Sequence, residues 1–321
     1  MATSGDEAAL SLSELGERLK GRRVGLALGS GSARGLAHIG VLRALTEAGV
    51  QVDVVAGTSM GAFVGAMFAA GKLAELEAEF RDIDWQGIVS LVDPVFPRSG
   101  LIDGVKIGEF IRRYVAQSDI EALPIRFRAM ATDLTSGEQV ALDSGDLIEA
   151  VRASIAVPGV FTPIRCNGRL LVDGGLVAPV PVASARSMGA DFVIAVDLNH
   201  DIVGNRQMRA DEAAAGKPLT QVMTRMFDSL HTDLPMLVQF REWLAREPLP
   251  GIIDVLLASL YIMQARVTQA TLREDPPEIL IQPPLGGVRF LEFDQASGII
   301  EIGYRSAIEA FCRGDRVGTQ A

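Results

Sequence analysis

The chain has 321 residues, of which 48% are hydrophobic and 22% are charged, a composition typical of a soluble globular protein with room for a large core. Its net charge of −10 argues against nucleic acid as the main partner. Two cysteines are too few for a disulfide framework, and no stretch reaches the roughly 18 apolar residues of a membrane span. We therefore expect a cytoplasmic protein.

Two strand–loop–helix units follow a polar N-terminal extension, residues 1–20. The apolar run VGLAL at 24–28 predicts a buried strand, and the glycine-rich loop GSGSARG leads from it into a helix that ends near Gly49. VDVVA at 52–56 predicts a second buried strand, followed by a turn that contains Ser59 and by a helix of small residues. This order predicts an α/β fold with a mostly parallel central sheet and helices on both faces.

Strand and helix patterns continue to alternate up to residue 198, after which the composition changes. The pattern predicts helices at 105–115 and 146–155, with Asp146 as N-cap, and strands at 125–134, 138–143, 168–175 and 190–198. Beyond these we expect a linker at 201–217, a helical segment at about 219–270, a strand at 278–283 and a helix at 294–312. We predict one domain over residues 21–321, with the helical segment as an insertion towards its C-terminus.

The turn Gly57-Thr58-Ser59-Met60-Gly61 has the G-x-S-x-G spacing of an exposed nucleophilic serine. Small residues are needed at both ends because a sharp bend from strand to helix leaves no room for side chains. The motif alone is weak, but its position between an apolar strand and a small-residue helix favours a nucleophile. An ordinary glycine-rich turn is the alternative.

The glycine-rich loop, Gly29 to Gly35, lies at the carboxyl end of the first strand, where parallel sheets bind ligands. A dinucleotide site is disfavoured because Arg34 stands where the third glycine of G-x-G-x-x-G belongs. An oxyanion hole of backbone N–H groups, which requires close approach of the substrate to the backbone, explains the small residues better.

The base that would activate the serine is harder to identify. The chain has three histidines, His38, His200 and His231, and none lies in a second glycine-flanked turn. His200 follows a predicted strand and remains open as the base of a Ser-His-Asp triad. Asp173 closes an apolar strand and precedes two glycines, so its carboxylate is a second candidate, although Asp-Gly-Gly is also a plain turn signal.

Three features occur together and in order: LALGSGSARGLAHIGVL, VVAGTSMGA and LLVDGG. This set resembles the patatin-like phospholipase family, in particular its bacterial members related to neuropathy target esterase. Further matching stretches include ATDLTSGE and AVRASIAVPGVFTPI, and the likeness spans about residues 24–198.

The resemblance implies a catalytic dyad without histidine, in which Ser59 is the nucleophile and Asp173 the base. It implies an oxyanion hole at the backbone of Gly31 and Ser32, with Arg34 in the motif's basic position. The motif glycines are Gly29, Gly35, Gly57, Gly61, Gly174 and Gly175. One departure is that Ser30 and Ser32 flank Gly31 where the family has a run of glycines, and a positive φ there would strain a serine.

The resemblance further implies a serine hydrolase of lipid or other carboxylic esters that needs no metal or organic cofactor. Such an enzyme must meet lipid, and the apolar side chains of 222–234 near helical spacing suggest either peripheral membrane contact or a packed interface. Two alternatives stay open. One is an esterase that uses His200, and the other is a regulatory or scaffolding module with little turnover.

Overall fold

A single mixed sheet organises the fold. The computed structural model describes residues 14–81, 83, 85–93, 100–115, 119–202 and 252–317. In this part of the chain the sheet has eight strands: β1 Val24–Leu28, β2 Val54–Thr58, β3 Arg126–Asp133, β4 Gln139–Leu142, β5 Ile164–Cys166, β6 Arg169–Asp173, β7 Phe192–Val196 and β8 Ile279–Ile281. Their order is β5-β6-β3-β2-β1-β7-β8, with β4 also paired to β3. Four neighbouring pairs are parallel: β3–β2, β2–β1, β1–β7 and β7–β8.

Helices connect the strands in the order that the sequence predicts. Apart from a helical stretch at 14–18, the α-helices of the described residues are α1 Ala37–Glu47, α2 Met60–Ala69, α3 Leu73–Arg81, α4 Trp85–Ser90, α5 Val105–Tyr114, α6 Leu147–Ser154, α7 Val182–Ser187, α8 Ile252–Glu274 and α9 Ala296–Val317. Asp146 caps α6 as predicted, because its side chain accepts from the backbone N–H groups of Ile148 and Glu149. The predicted strand at 52–56 begins two residues later, and α3, α4, β5 and α7 were not predicted.

Both faces of the sheet are covered, which confirms the predicted three-layer α/β architecture. Successive residues of a strand point to opposite faces. On β1, Leu26 and Leu28 pack into the larger core with α1 and α2, whereas Ala27 packs into a smaller core with Val182 and Ala185 of α7. The parallel strands are therefore buried on both sides and read as continuous apolar runs.

The edge of β3 brings two strand ends together. β2 runs parallel to β3 and pairs with its residues 126–130, whereas β6 runs antiparallel and pairs with residues 131–133. β4 pairs with residues 129–132 of β3 and so occupies the opposite edge. The C-terminal ends of β2 and β6 therefore meet. Thr58 lies opposite Met130, and Asp173 lies opposite the next residue, Ala131.

Some predictions concern residues that the structure does not describe. Three of these predictions lie outside the described residues: His231, the linker at 201–217 beyond residue 202, and the part of the helical segment before Ile252. The described remainder of the helical segment is α8, which confirms a helical region towards the C-terminus. Among the described helices, none combines the length and the hydropathy required to cross a membrane.

Candidate active site

Ser59 lies at a sharp strand-to-helix turn between β2 and α2. Its backbone has φ 57° and ψ −124°, a conformation that L-residues rarely adopt and that costs of order 1–3 kcal/mol. A Cβ on Gly57 would overlap the Gly61 carbonyl oxygen, and a Cβ on Gly61 would overlap the carbonyl of Leu28. The spacing of the two glycines is thus a steric requirement of this turn, as the sequence predicts.

Hydrogen bonds from other elements support the strained turn. The backbone N–H of Ser59 donates to Ser154 Oγ at 2.9 Å, and the Ser154 hydroxyl donates to the Met130 carbonyl at 2.6 Å. Thr58 Oγ1 donates to the Ala178 carbonyl at 2.7 Å. These contacts fix the backbone of Ser59 while its hydroxyl faces the cavity described below. Sequence reasoning missed Ser154, since a serine near the end of a helix carries no signal of this role.

Asp173 ends β6 and is only 2% exposed. Its Oδ1 accepts the backbone N–H of Gly175 at 2.7 Å, whereas its Oδ2 is buried without a hydrogen-bond partner among the described residues. Burial raises the pKa of the Asp173 carboxyl to about 6, opposed by the Ser59 hydroxyl and by the Gly175 N–H. A pKa of that size suits a general base that must be ionised near neutral pH.

Ser59 and Asp173 line one cavity, at the junction where β2 and β6 meet. The Ser59 hydroxyl is close enough to lower the pKa of Asp173, although Oδ2 has no hydrogen-bond partner among the described residues. The two side chains therefore stand as neighbours rather than as a closed hydrogen-bonded pair.

The glycine-rich loop presents two unengaged backbone N–H groups to the same cavity. The amides of Gly29, Ser30 and Ala33 donate to carbonyls of other segments. Those of Gly31 and Ser32, both of which line the cavity, make no hydrogen bond within the described part of the chain. The two predicted oxyanion residues are thus the ones whose amides remain available.

The serines that interrupt the glycine run have structural partners. Ser32 has φ 49°, the left-handed conformation that disfavours a side chain, and its hydroxyl donates to the Phe290 carbonyl at 2.6 Å. The Ser30 hydroxyl donates to Gln264 Oε1 at 2.9 Å. The departure from a run of glycines therefore ties the loop to α8 and to the segment before α9.

Arg34 does not line the cavity. Its side chain is 3% exposed, lies 4.3 Å from the centre of the Tyr261 ring and donates to the Val288 carbonyl at 3.3 Å. Its backbone N–H donates to the Gly31 carbonyl at 3.1 Å. The structure therefore places Arg34 behind the glycine-rich loop, where it supports the backbone instead of facing the cavity.

The described histidines lie outside the cavity: none of the described residues that line it is a histidine. His38 Nε2 contacts the Gly29 carbonyl at 2.8 Å, and burial lowers the pKa of His38 to about 4. His38 is therefore neutral at pH 7 and donates from Nε2 to the first residue of the loop. His200 is half-buried beyond the end of β7.

The cavity walls are almost entirely apolar. Six phenylalanines contribute to them: Phe63, Phe80, Phe110, Phe161, Phe290 and Phe293. The empty space, mouth included, is about 1130 Å³. An apolar chamber with a few converging polar groups at one point is the usual design of a site for a largely apolar ligand.

The chain is similar to several known proteins. Residues 26–186 match the family model described as patatin-like phospholipase. A Mycobacterium tuberculosis protein described as an uncharacterized NTE family protein is 36% identical, over 90% of this chain and 91% of its own. Human patatin-like phospholipase domain-containing protein 6 is 32% identical over 91% of this chain but only 20% of the human protein. The solved structure of VipD from Legionella pneumophila covers 91% of this chain and 67% of its own, with a TM-score of 0.49 and 14% identity.

The chain belongs to the patatin-like phospholipase family. The resemblance and the patatin-like α/β fold expected from the sequence are both confirmed. Membership supports lipid-ester hydrolysis in general and does not identify a substrate.

Proposed function

We propose that the protein is a serine acyl hydrolase that cleaves lipid-type carboxylic esters through a Ser59–Asp173 dyad. The observation that carries the proposal is the shared apolar cavity. There the serine of a strained elbow, a buried aspartate with one free oxygen and two unengaged backbone N–H groups converge. These are the nucleophile, base and oxyanion donors that acyl transfer requires.

Acylation begins when Ser59 Oγ attacks the ester carbonyl carbon and Asp173 takes the hydroxyl proton. Oδ2 is the acceptor we assign, since Oδ1 is already held by the Gly175 N–H. The carbonyl oxygen becomes an oxyanion and accepts from the amides of Gly31 and Ser32. The tetrahedral intermediate then collapses, the bond to the leaving alcohol breaks, and Asp173 returns its proton to that alcohol.

Deacylation repeats the sequence with water as the nucleophile. Asp173 takes a proton from water, whose oxygen attacks the acyl carbon, and the bond to Ser59 Oγ breaks as that oxygen regains the proton. The products are a carboxylic acid and the free enzyme. An aspartate is intrinsically a weak base, so the two amide donors carry much of the barrier reduction, each about 3–4 kcal/mol.

The walls of the cavity favour an acyl chain as the group that it encloses. Phe63, Phe80 and Phe110 pack against one another with ring centres 5.8–6.1 Å apart and form one side of the chamber. Each buried methylene of a chain contributes about 0.8 kcal/mol. A fatty acyl ester therefore gains much more from this chamber than a short polar ester does.

We also propose that the protein contacts the lipid surface peripherally through α8. One side of this helix lines the cavity, with Leu257 and Leu260. The other side exposes apolar side chains, Val255, Leu256, Ile262 and Met263. Replacing both Ile262 and Met263 by Asp should reduce hydrolysis of vesicle lipid and spare that of a soluble ester, whereas equal loss on both substrates contradicts the contact.

The function is tested by hydrolysis of a p-nitrophenyl acyl ester and of phosphatidylcholine vesicles by the purified protein. Wild type should turn over at least the soluble ester, while Ser59→Ala and Asp173→Asn should not, with circular dichroism unchanged. His200→Ala serves as the matched control and should keep wild-type activity. An inactive but folded His200→Ala, together with an active Asp173→Asn, would assign the base to His200.

A further inference from the structure

Gln264 is a buried polar residue of α8 that joins the two loops of the site. It is 8% exposed and lines the cavity together with Ser59 and Asp173. Its Oε1 accepts from Ser30 Oγ at 2.9 Å and from Asn199 Nδ2 at 3.1 Å. One side chain thus links the oxyanion loop and the segment after β7 to the wall of the cavity.

The orientation of the Gln264 amide follows from a chain of obligatory hydrogen bonds. The Ser30 carbonyl can only accept, so the Asn199 side chain must turn its Nδ2 towards it, at 3.2 Å. Gln264 must then turn its oxygen towards Asn199 Nδ2, because a reversed amide would set its own N–H donors against that donor. The Nε2 group consequently points the other way.

That direction leads to the Asp173 turn. A Cβ on Gly175 would lie 2.5 Å from Gln264 Nε2 and 2.9 Å from Asp173 Oδ1, so both atoms crowd the same point. Within the described part of the chain, the two N–H donors of Nε2 have no acceptor. The absence of a side chain at Gly175 is what allows the amide to reach this position.

We propose that Gln264 is a positioning residue of the hydrolytic site, which holds the oxyanion loop through its oxygen and turns its N–H donors towards Asp173 to favour the charged form of that carboxylate. This inference rests on the proposed function. It assigns to α8 a role in the chemistry as well as in the cavity wall. The two ends of the Gln264 amide serve different steps, because the oxygen bonds the glycine-rich loop and the nitrogen lies near the Asp173 turn.

Four variants separate the roles of the two ends of the amide. Gln264→Glu keeps an oxygen for Ser30 and Asn199 but removes the donors and adds a charge near Asp173. Gln264→Met removes the donors without adding a charge. Ser30→Ala removes only the hydrogen bond from the Ser30 hydroxyl to Gln264 Oε1. Thr268→Val is the matched control, because Thr268 is 2% exposed and lies one turn further along the same helix. The pH dependence of kcat/KM on a soluble ester is measured for each, since a purely structural role would change its height without moving its acid limb.

We expect Gln264→Glu to move the midpoint of the acid limb upward by about one pH unit, from about 6 to about 7, and so to lower kcat/KM at pH 7 by about twofold and at pH 5 by about tenfold. Ser30→Ala should lower kcat/KM several-fold with the limb in place, and Thr268→Val should change neither. An unshifted limb in Gln264→Glu, or an equal shift in Thr268→Val, would overturn the inference. Gln264→Met should also move the limb upward, by less than Gln264→Glu, and a limb that stays in place in Gln264→Met would assign the shift in Gln264→Glu to its added charge and overturn the inference. An inactive wild type would instead overturn the proposed function.

Discussion

The serine turn and the glycine-rich loop face the same cavity but hold their shapes by different means. The turn at Ser59 is held by local sterics, since Gly57 and Gly61 leave no space for a side chain. The loop is held by distant partners: Ser30 contacts Gln264, 234 residues away, and Ser32 contacts Phe290, 258 residues away. The serine turn can therefore be built from one short motif, whereas the shape of the glycine-rich loop depends on the folded C-terminal part.

This difference explains what the sequence predicted and what it did not. The serine turn and the Asp-Gly-Gly turn were predicted because each is specified by neighbouring residues, whereas the two loop amides were predicted from the resemblance to the family. Ser154, Asn199 and Gln264 were missed, because their roles depend on elements that meet only in the folded chain.

The fold divides in a similar way. Long apolar runs such as β1 and β7 were placed within two residues, because buried parallel strands have a strong compositional signal. The six-residue α7, VASARS, was missed, since so short a segment of small and polar residues has no helical periodicity. The meeting of β2 and β6 on one edge of β3 depends on strand pairing, which composition does not reveal.

The largest expected effect comes from breaking the local sterics of the turn. Gly61→Ala forces a Cβ against the Leu28 carbonyl, so we expect hydrolysis to be lost and the free energy of unfolding to fall by about 3 kcal/mol. Gly298→Ala is the matched control, since a Cβ there meets nothing within 4 Å. Denaturant unfolding of both variants checks this, and a Gly61→Ala protein as stable as wild type would contradict the steric account.

A second test concerns the base. Within the described ranges one oxygen of Asp173 has no donor, and burial raises its pKa to about 6, so its charge destabilises the folded state above that pH. Asp173→Asn should abolish turnover yet raise the free energy of unfolding at pH 7 by about 1–3 kcal/mol.

The control for this stability gain is Asp197→Asn. Asp197 is also buried, but its two oxygens accept from Asn199 N and Gln282 Nε2 at 3.0 Å each. Replacing it should destabilise the protein, because a new N–H₂ group would oppose an existing donor. If Asp197→Asn stabilised the protein and Asp173→Asn did not, the claim that the Asp173 charge destabilises the folded state would be contradicted.

The pH dependence of activity gives a third test. Because Asp173 must be ionised to accept the serine proton, kcat/KM should fall below about pH 6 and be roughly tenfold lower at pH 5 than on the plateau. Hydrolysis of a soluble ester between pH 4.5 and 8 measures it. A flat profile down to pH 4.5 in a folded protein would contradict a base with a raised pKa.

The smallest expected effect concerns the support of the loop by His38. The pKa of His38 is lowered to about 4, so the unfolded state binds its proton first on acidification and stability falls between about pH 6.5 and 4. The raised pKa of Asp173 has the opposite sign, since the folded state binds that proton first, so stability rises as pH falls from about 6 to 4.

These opposing contributions should nearly cancel in wild type. Between pH 7 and pH 5, Asp173→Asn should lose about 2 kcal/mol of stability and His38→Gln should gain about 1 kcal/mol. Thermal or denaturant unfolding at the two pH values measures both. Identical pH responses of the two variants would show that these residues do not titrate as their burial requires.

The most direct test of the central claim is labelling with a fluorophosphonate, followed by mass spectrometry of the modified peptide. A Ser59–Asp173 dyad predicts a single adduct on Ser59 in wild type and in His200→Ala, and none in Ser59→Ala. In folded Asp173→Asn, labelling should be slower by orders of magnitude. Labelling of Asp173→Asn at the wild-type rate, or an adduct on another serine, would contradict the dyad.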